Sequence, residues 1–322
     1  MRWGLASLPA LLDELGIEQA LAVSTPRWQA LELPVARRFD GVRRHAETQT
    51  VAAALAAADG ADGLVAVGGG SAIDTAKAVS AASGLRVVSV PTTYSGAEWT
   101  DFYGTRDPAA RVKSGGVGAL TVAAVYDPEL TLGLARDESG GTALNALAHC
   151  AEALYVPGRG AQTDAEALAG APLVVRWLPP VLADGQDLEA RRGLLEGAMH
   201  SGAALCAGMG VAHAMAQALG GRYGLEHGTM NAVTLPPALR YNQDVAADAI
   251  ARLGEAMDGG HDPIGRVTGL AALAGPPRLR DYDVPLDDLE QLAEAIAARQ
   301  PAKNNPRPAP PEAVLTLLEE IW

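Results

Sequence analysis

The sequence predicts an α/β domain built on a parallel β-sheet, followed by an all-helical domain. Two observations carry this prediction: four short runs in the first 126 residues are apolar at nearly every position, and no such run follows Pro128. Strands that are apolar throughout, instead of alternating, are typical of parallel sheets covered on both faces. We place the boundary so that residues 1–133 form the α/β domain and residues 134–322 the helical domain. The four runs are Ala20–Ser24, Leu64–Val67, Arg86–Val90 and Ala123–Tyr126.

Segments with helical spacing separate these strands and continue to the end of the chain. Ala52–Ala58 and Ser71–Ala82 lie between strands, and strand–helix–strand repetition favours right-handed βαβ units. Helices of the second domain are expected to be interrupted at proline and glycine pairs such as Pro179-Pro180. The helices expected there are Ala143–Leu154, Ala165–Val174, Leu188–Cys206, Ala212–Gly220, Val245–Met257, Leu286–Ala298 and Pro311–Ile321.

Composition and charge exclude several classes of function. The chain carries 25 Lys and Arg against 38 Asp and Glu, and the resulting net charge of −13 repels phosphate backbones and anionic membranes. Neither nucleic acid nor a membrane is therefore an expected partner. Two cysteines, Cys150 and Cys206, do not make a disulfide framework, and the N-terminus lacks the features of a signal peptide. No uncharged apolar run is long enough to span a bilayer, so we expect a cytoplasmic protein.

A glycine triplet follows the second predicted strand. Strand Leu64–Val67 runs into Gly68-Gly69-Gly70-Ser71, where a helix is expected to begin. Glycines let the backbone approach a ligand, and the N–H groups and dipole of a helix start suit a pyrophosphate. Ser71 could cap the helix, bind a phosphate oxygen, or do both. A tight turn without a ligand would explain the same residues.

A second polar loop follows the third predicted strand. Residues 91–98 (PTTYSGAE) offer three hydroxyl groups, from Thr92, Thr93 and Ser95. Ligands of open parallel sheets bind at the carboxyl ends of the strands, so the two loops together predict one crevice for a nucleotide cofactor. Strand Ala20–Ser24 is not followed by the acidic residue that would hold an adenosine ribose, and both NAD and NADP remain open.

Three histidines of the helical domain form the main candidate for chemistry. His149 lies one helical turn after Asn145, so the two side chains share a face. His213 stands at an expected helix start with Gln217 four residues on, and His227 lies in a glycine-rich turn. Three imidazoles could converge on a metal or on an anionic substrate. The other histidines are assigned no chemistry: His45 and His261 are expected on the surface, and His200 is expected to pack within a helix.

With these residues in hand, the chain resembles the iron-dependent (group III) alcohol dehydrogenase superfamily, and within it the maleylacetate reductases most of all. The matching motifs occur in order along nearly the whole chain. They are Gly68–Ser71 with Lys77, Pro91–Tyr94 with Glu98 and Thr100, Val125–Leu132, Leu144–His149 with Glu152–Tyr155, His213–His227, and Asn305–Pro308.

The resemblance implies a Rossmann-like N-terminal domain and an all-helical C-terminal domain, the dehydroquinate synthase-like fold, with catalysis in a cleft between them. It also implies a homodimer and a nicotinamide cofactor, NAD or NADP. In metal-dependent relatives an Asp and three His bind iron or zinc, and their positions match Asn145, His149, His213 and His227. The predicted cofactor contacts are Gly69, Gly70, Ser71, Thr92, Thr93, Ser95 and Lys113.

Two departures from the family pattern bear on mechanism. Asn145 replaces the anionic ligand, which should weaken binding of a divalent metal, and maleylacetate reductases share this substitution. Gln217 stands where many relatives carry a histidine in a proton-relay role, and glutamine cannot titrate. In contrast, residues 228–231 (GTMN) are more similar to the general alcohol dehydrogenases.

Three functional hypotheses follow. The first is NAD(P)H-dependent reduction of a small carboxylated enone or oxo acid of the maleylacetate type, in which His149, His213 and His227 bind the substrate carboxylate or the developing enolate oxygen. The second is a metal-dependent (Fe or Zn) alcohol or aldehyde dehydrogenase. The third is a cofactor-binding relative without redox activity.

Overall fold

Six strands of the α/β region form one parallel sheet in the computed structural model, which describes residues 1–260 and 262–322. The strands are β1 (Arg2–Trp3), β2 (Ala20–Ser24), β3 (Arg37–Phe39), β4 (Gly63–Gly68), β5 (Arg86–Pro91) and β8 (Leu120–Tyr126). Strands β6 and β7 form a separate hairpin between β5 and β8 in the chain. The order of strands across the six-stranded sheet is β1-β8-β5-β4-β2-β3. The four predicted strands are confirmed as β2, β4, β5 and β8. Strands β1 and β3 were not predicted, because strands of two and three residues that contain arginines form no apolar run.

The central strands are buried at every position because helices cover both faces of the sheet. Strands β2 and β4 consist of buried residues throughout. On one face Leu21 and Leu64 pack with α2 (Thr48–Ala57) and α3 (Gly70–Ser83), whereas on the other Val65 packs with α1 (Leu8–Glu14). Successive residues of a strand point to opposite faces, so an all-apolar strand serves both layers.

A two-stranded antiparallel hairpin was not expected from the sequence. It consists of β6 (Tyr103–Asp107) and β7 (Val112–Gly116), with Tyr103 opposite Gly116. Its residues are mostly polar or glycine and only partly buried, so they lack the apolar pattern by which strands are recognised.

The chain divides into two compact units, Met1–Gly133 and Leu134–Trp322, and no strand follows β8 among the described residues. The helices of the second unit are α4 (Arg136–Ala153), α5 (Ala161–Ala183), α6 (Leu188–Ala204), α7 (Val211–Tyr223), α8 (His227–Asn242), α9 (Ala247–Asp258), α10 (Pro263–Ala274), α11 (Leu289–Ala297), α12 (Gln300–Lys303) and α13 (Pro311–Ile321). His261, predicted to be a surface residue, lies outside the described residues.

Two expectations about this unit were wrong. The pair Pro179-Pro180 does not end a helix, since both prolines lie inside α5. Packing against α6 outweighs the cost of proline in a helix, as Trp177 of α5 sits directly over Gly193, where any side chain would clash. The turn expected at His227 is instead the first turn of α8, a helix hidden in the sequence by Pro236 and Pro237.

No single helix within the described part of the chain is both long and apolar enough to cross a bilayer. The segments Leu188–Ala207 and Val211–Tyr223 reach that length and hydropathy only when taken together, and they are bent by 101° relative to each other. Cys150 is buried and Cys206 is exposed.

Candidate functional site

The glycine triplet forms the turn between β4 and α3. Gly68 has φ +146°, a conformation that side chains rarely adopt, and Gly69 is the residue before the first turn of α3. No side chain caps this helix. Of the two roles open to Ser71, capping is thus ruled out: Ser71 Oγ instead accepts a hydrogen bond of 2.9 Å from the backbone N–H of His45.

The second polar loop lies against this turn. Thr92 N donates to Gly68 O at 3.0 Å, which extends the pairing of β4 with β5. A Cβ built on Gly69 would lie 2.6 Å from Thr93 Cγ2, and one on Gly70 would lie 3.6 Å from the Cβ of Ser95. The structure thus brings the predicted glycines and hydroxyl residues together at the carboxyl ends of two adjacent strands.

Thr93 carries a hydroxyl that is buried but lacks a hydrogen-bond partner among the described residues. A buried polar atom of this kind costs free energy unless a ligand or water satisfies it. Since Thr93 contacts Gly69 at the start of α3, its hydroxyl is available to a group bound at that helix N-terminus.

Lys113 extends from the hairpin toward the first turns of α3. A Cβ on Gly104 would lie 3.1 Å from Lys113 Cε and 3.4 Å from Asp74 Oδ2. Asp74 accepts a hydrogen bond from Gly104 N at 3.1 Å. Burial raises the pKa of the Asp74 carboxyl above its ordinary value, although the charges of Lys77 and Lys113 oppose that shift. The cation predicted for cofactor binding therefore lies close to Asp74, a partly buried acid of α3.

Asp40 is a residue of this region that sequence reasoning missed. It follows β3, the neighbour of β2, and accepts hydrogen bonds from Ser24 Oγ at 2.5 Å and from Arg38 Nε at 3.2 Å. Burial raises the pKa of Asp40, but the hydrogen bonds from Arg38 and Ser24 outweigh burial and hold the pKa below its ordinary value. No acid follows β2 directly, and Asp40 was not predicted because it follows β3, which had no sequence signature.

The three candidate imidazoles of the helical unit lie together. His149 on α4 stacks on His213 of α7, with ring centroids 4.8 Å apart and planes 14° from parallel. His227, at the start of α8, lies 5.8 Å from His213 by centroid and is tilted by 53°. His149 and His213 are buried. Burial, reinforced by the neighbouring His213, holds the pKa of His149 well below its ordinary value.

Glu152 orients His213. The carboxylate lies 2.6 Å from His213 Nδ1 and accepts the backbone N–H groups of Gly210 at 2.7 Å and Ala212 at 2.8 Å, all without exposure to solvent. A proton on Nδ1, donated to Glu152, leaves Nε2 as the functional nitrogen. His213 Nε2 and His149 Nδ1 are both buried without a hydrogen-bond partner in the described part of the chain.

A pair of side-chain amides joins the same cluster. Asn231 Nδ2 donates to Asn145 Oδ1 at 2.7 Å and lies 3.2 Å from His227 Nε2. One amide nitrogen carries two hydrogens and can serve both acceptors. Asn231 was not singled out from the sequence because it lies one turn into a helix that was not expected there.

His200 and His45 have surroundings of their own. His200 pairs through Nδ1 with Glu166 at 2.7 Å, and both side chains are about one third exposed. His45 is half-buried in a turn, with φ +61°. Within residues 1–260 and 262–322 no group of three or more His, Cys, Asp or Glu side chains is arranged to hold a metal ion.

Two models of one protein family match the two parts of the chain. Residues 4–128 match the family model described as iron-containing alcohol dehydrogenase, and residues 140–322 match the C-terminal model of the Fe-containing alcohol dehydrogenase family. The chain belongs to the iron-containing alcohol dehydrogenase family. It is therefore an NAD(P)-dependent oxidoreductase, and its two-part fold is the one that the resemblance implied.

Individual members of the family show how far the similarity extends. A maleylacetate reductase from Burkholderia cepacia is 36% identical, with 97% of this chain and 91% of that protein covered. The crystal structure of maleylacetate reductase from Agrobacterium tumefaciens has a TM-score of 0.89 at 31% identity, covering 100% of this chain and 95% of that one. The iron-containing alcohol dehydrogenase from Corynebacterium glutamicum has a TM-score of 0.92 at 30% identity, covering 99% and 93%.

Proposed function

We propose that this member of the family reduces a small carboxylated enone or oxo acid of the maleylacetate type with a reduced nicotinamide cofactor. The observation that carries the proposal is the cluster of His149, His213 and His227, held by Glu152 and side-chain amides instead of by an acidic metal ligand. The similarity to maleylacetate reductases from several bacteria supports the same substrate class.

The glycine turn and the loop after β5 would hold the cofactor. In this proposal the N-terminus of α3 binds the pyrophosphate, with Gly69 and Gly70 allowing close approach and the Thr93 hydroxyl donating to it. Ser71, Thr92 and Ser95 would line the same crevice, and Lys113 would add a positive charge. The nicotinamide, when bound, supplies the hydride.

Asp40 favours NAD over NADP. An acidic residue at the end of the strand beside the phosphate-binding unit can bind a ribose hydroxyl and repels a 2′-phosphate. The depressed pKa of Asp40 keeps it an anion at neutral pH. Arg38 beside it offers little to a phosphate, because its N–H groups already donate to Trp28 O, Leu31 O and Asp40.

The candidate ligand set does not fit a resident divalent metal. Asn145 contributes no charge, and its Oδ1 already accepts from Asn231. The amide nitrogen of Asn231 also lies 3.2 Å from His227 Nε2, so this ring nitrogen faces a hydrogen-bond donor. We therefore infer that the reaction proceeds without iron or zinc, and the metal-dependent alcohol dehydrogenase hypothesis is the weaker one.

The imidazoles would manage the negative charge that develops on the substrate. Hydride addition to an enone leaves an enolate, which needs a hydrogen-bond donor and then a proton. His213 in its doubly protonated form, stabilised by the Glu152 carboxylate, would donate that proton from Nε2. Neutral His149 and His227 would hold the substrate oxygens and exclude water.

We also propose a cytoplasmic homodimer that binds neither nucleic acid nor membranes. The acidic net charge disfavours phosphate backbones and anionic membranes, the family resemblance supports the dimer, and a sequence without a disulfide framework suits a reducing compartment. Gel filtration with light scattering tests the dimer, and a monomeric mass would remove it.

The test is a steady-state assay with maleylacetate that follows the loss of reduced-nicotinamide absorbance. We expect turnover with NADH by the wild-type chain, and His213→Gln should lower kcat by about 100-fold. His200→Gln serves as the control, since His200 lies outside the cluster. Absence of turnover with either cofactor would remove maleylacetate as the substrate.

A further inference from the structure

Arg299 is a cation that the proposed chemistry has not used. It lies at the start of α12, is half-buried, and its Nε is buried without a hydrogen-bond partner among the described residues. Burial alone lowers the pKa of Arg299, with no acidic neighbour to raise it. Two other arginines of this unit do pair with acids: Arg222 lies 2.6 Å from Asp288, and Arg252 lies 2.7 Å from Asp164.

The Arg299 guanidinium forms no ion pair with any of the described acidic residues, although its Nε is buried. Acidic residues outnumber basic ones by 38 to 25, so a cation can readily find a carboxylate on the surface. Desolvating a guanidinium without compensation costs free energy, which a bound anion would recover. The uncompensated charge therefore points to a ligand that carries a carboxylate.

The position of Arg299 connects it with the imidazole cluster. Its Nη1 lies 3.5 Å from Gln217 Oε1, at the long end of hydrogen bonding, and Gln217 follows His213 by one turn of α7. Four residues of helix correspond to a rise of about 6 Å, so Gln217 and His213 share one face. The Gln217 amide nitrogen also lies 3.7 Å from Met209 Sδ. Met209 precedes Gly210, whose backbone N–H donates to Glu152.

We propose that Arg299, positioned by Gln217, binds a carboxylate of the substrate one helical turn from His213, and so selects carboxylated substrates over neutral carbonyl compounds. This inference rests on the proposed function and makes its substrate class specific. A guanidinium fork matches a carboxylate in a bidentate geometry, which a neutral substrate cannot exploit. Gln217, which cannot relay protons, acquires a role in holding the fork.

The test is calorimetric titration of the full chain with the maleate dianion and, separately, with neutral maleamide. We expect Arg299→Ala to weaken maleate binding by about 10- to 100-fold and to leave maleamide binding unchanged. Arg299→Lys should lose less maleate affinity than Arg299→Ala, because a lysine keeps the positive charge but not the forked guanidinium geometry. Arg192→Gln is the control, since that arginine pairs with Glu196 on an exposed helix face.

Each outcome bears on the inference. An unchanged maleate affinity in Arg299→Ala, an equal loss for both ligands, or no maleate binding by the wild-type chain would overturn it. If Arg299→Ala does not fold, the same two titrations are made with Arg299→Gln, which keeps much of the aliphatic stem but removes the charge. Because the titration requires no turnover, charge-selective maleate binding without reduction of maleylacetate would count against the proposed function alone.

Discussion

Glu152 and His213 form a buried pair 2.6 Å apart, although 61 residues separate them in the chain. The same carboxylate accepts two backbone N–H groups at the start of α7, so one side chain fixes both the helix terminus and the imidazole. An acid that accepts from a histidine Nδ1 sets the tautomer and supports positive charge on the ring.

Removing this carboxylate should therefore cost both stability and rate. Glu152→Ala leaves buried donors unpaired, and we expect the free energy of unfolding to fall by about 3–5 kcal/mol in urea titrations. Glu152→Gln keeps the shape but not the charge, and we expect kcat to fall by about 100-fold with little change in KM for NADH.

Glu166→Gln is a matched control for both measurements. It disrupts a pair of the same kind, with His200, on a partly exposed surface. We expect this change to cost less than about 1 kcal/mol and to leave kcat unchanged. Equal effects of the two glutamine variants would contradict a special role for Glu152.

Asn145 should control the affinity of the cluster for metal. In Asn145→Asp a carboxylate replaces a neutral amide beside three imidazoles, which restores an anionic oxygen donor. We expect this variant, purified without chelator, to carry about one zinc or iron per chain by elemental analysis, and the wild-type chain to carry far less. Adding His213→Ala to Asn145→Asp should remove the metal again. A full equivalent of metal in the wild-type protein would contradict the prediction.

The depressed pKa of His149 predicts a pH-dependent loss of stability. An unfolded histidine titrates near its ordinary value of 6.5, whereas folded His149 takes up a proton only at lower pH. Between these two pKa values the unfolded chain binds more protons, so stability is retained above the ordinary value and lost as pH falls below it.

The slope should approach about 1.4 kcal/mol per pH unit in chelator-treated protein. Comparing urea unfolding of the wild-type chain with that of His149→Gln between neutral and mildly acidic pH isolates this contribution, because other titrating groups are common to both. Parallel pH profiles for the two proteins would show that His149 does not titrate differently on folding.

How much of the site could be predicted depended on whether its residues lay in recognisable elements. The glycine turn, the hydroxyl loop and His149 follow or lie in segments with clear strand or helix patterns, and the structure brings the predicted partners together. Asp40 and Asn231 were missed because they belong to a three-residue strand and to a proline-containing helix. The Glu152–His213 pair and the uncompensated charge of Arg299 arise only from tertiary packing, which no local pattern encodes.

Asp40 should determine the choice of cofactor. In Asp40→Ser the anion that repels a 2′-phosphate is removed, while Ser24 and Arg38 remain. We expect the ratio of kcat/KM for NADPH to that for NADH to rise by about 10- to 100-fold. Asp59→Ser removes an exposed acid of the same unit and should leave the ratio unchanged. A chain that already prefers NADPH, or a ratio that Asp40→Ser does not move, would contradict the assignment.

Gly69→Ala tests whether the turn between β4 and α3 has room for a side chain. The new Cβ would lie 2.6 Å from Thr93 Cγ2 and 3.0 Å from its Oγ1, so the loop after β5 must move away. We expect a loss of about 1–3 kcal/mol in stability, with KM for NADH raised because Thr93 no longer faces the helix start. Gly70→Ala is the control for stability, since its Cβ would make an ordinary contact of 3.6 Å with Ser95. If Gly69→Ala and Gly70→Ala unfold at the same urea concentration as the wild-type chain, the two loops are not packed as described, and the cofactor crevice must be placed elsewhere.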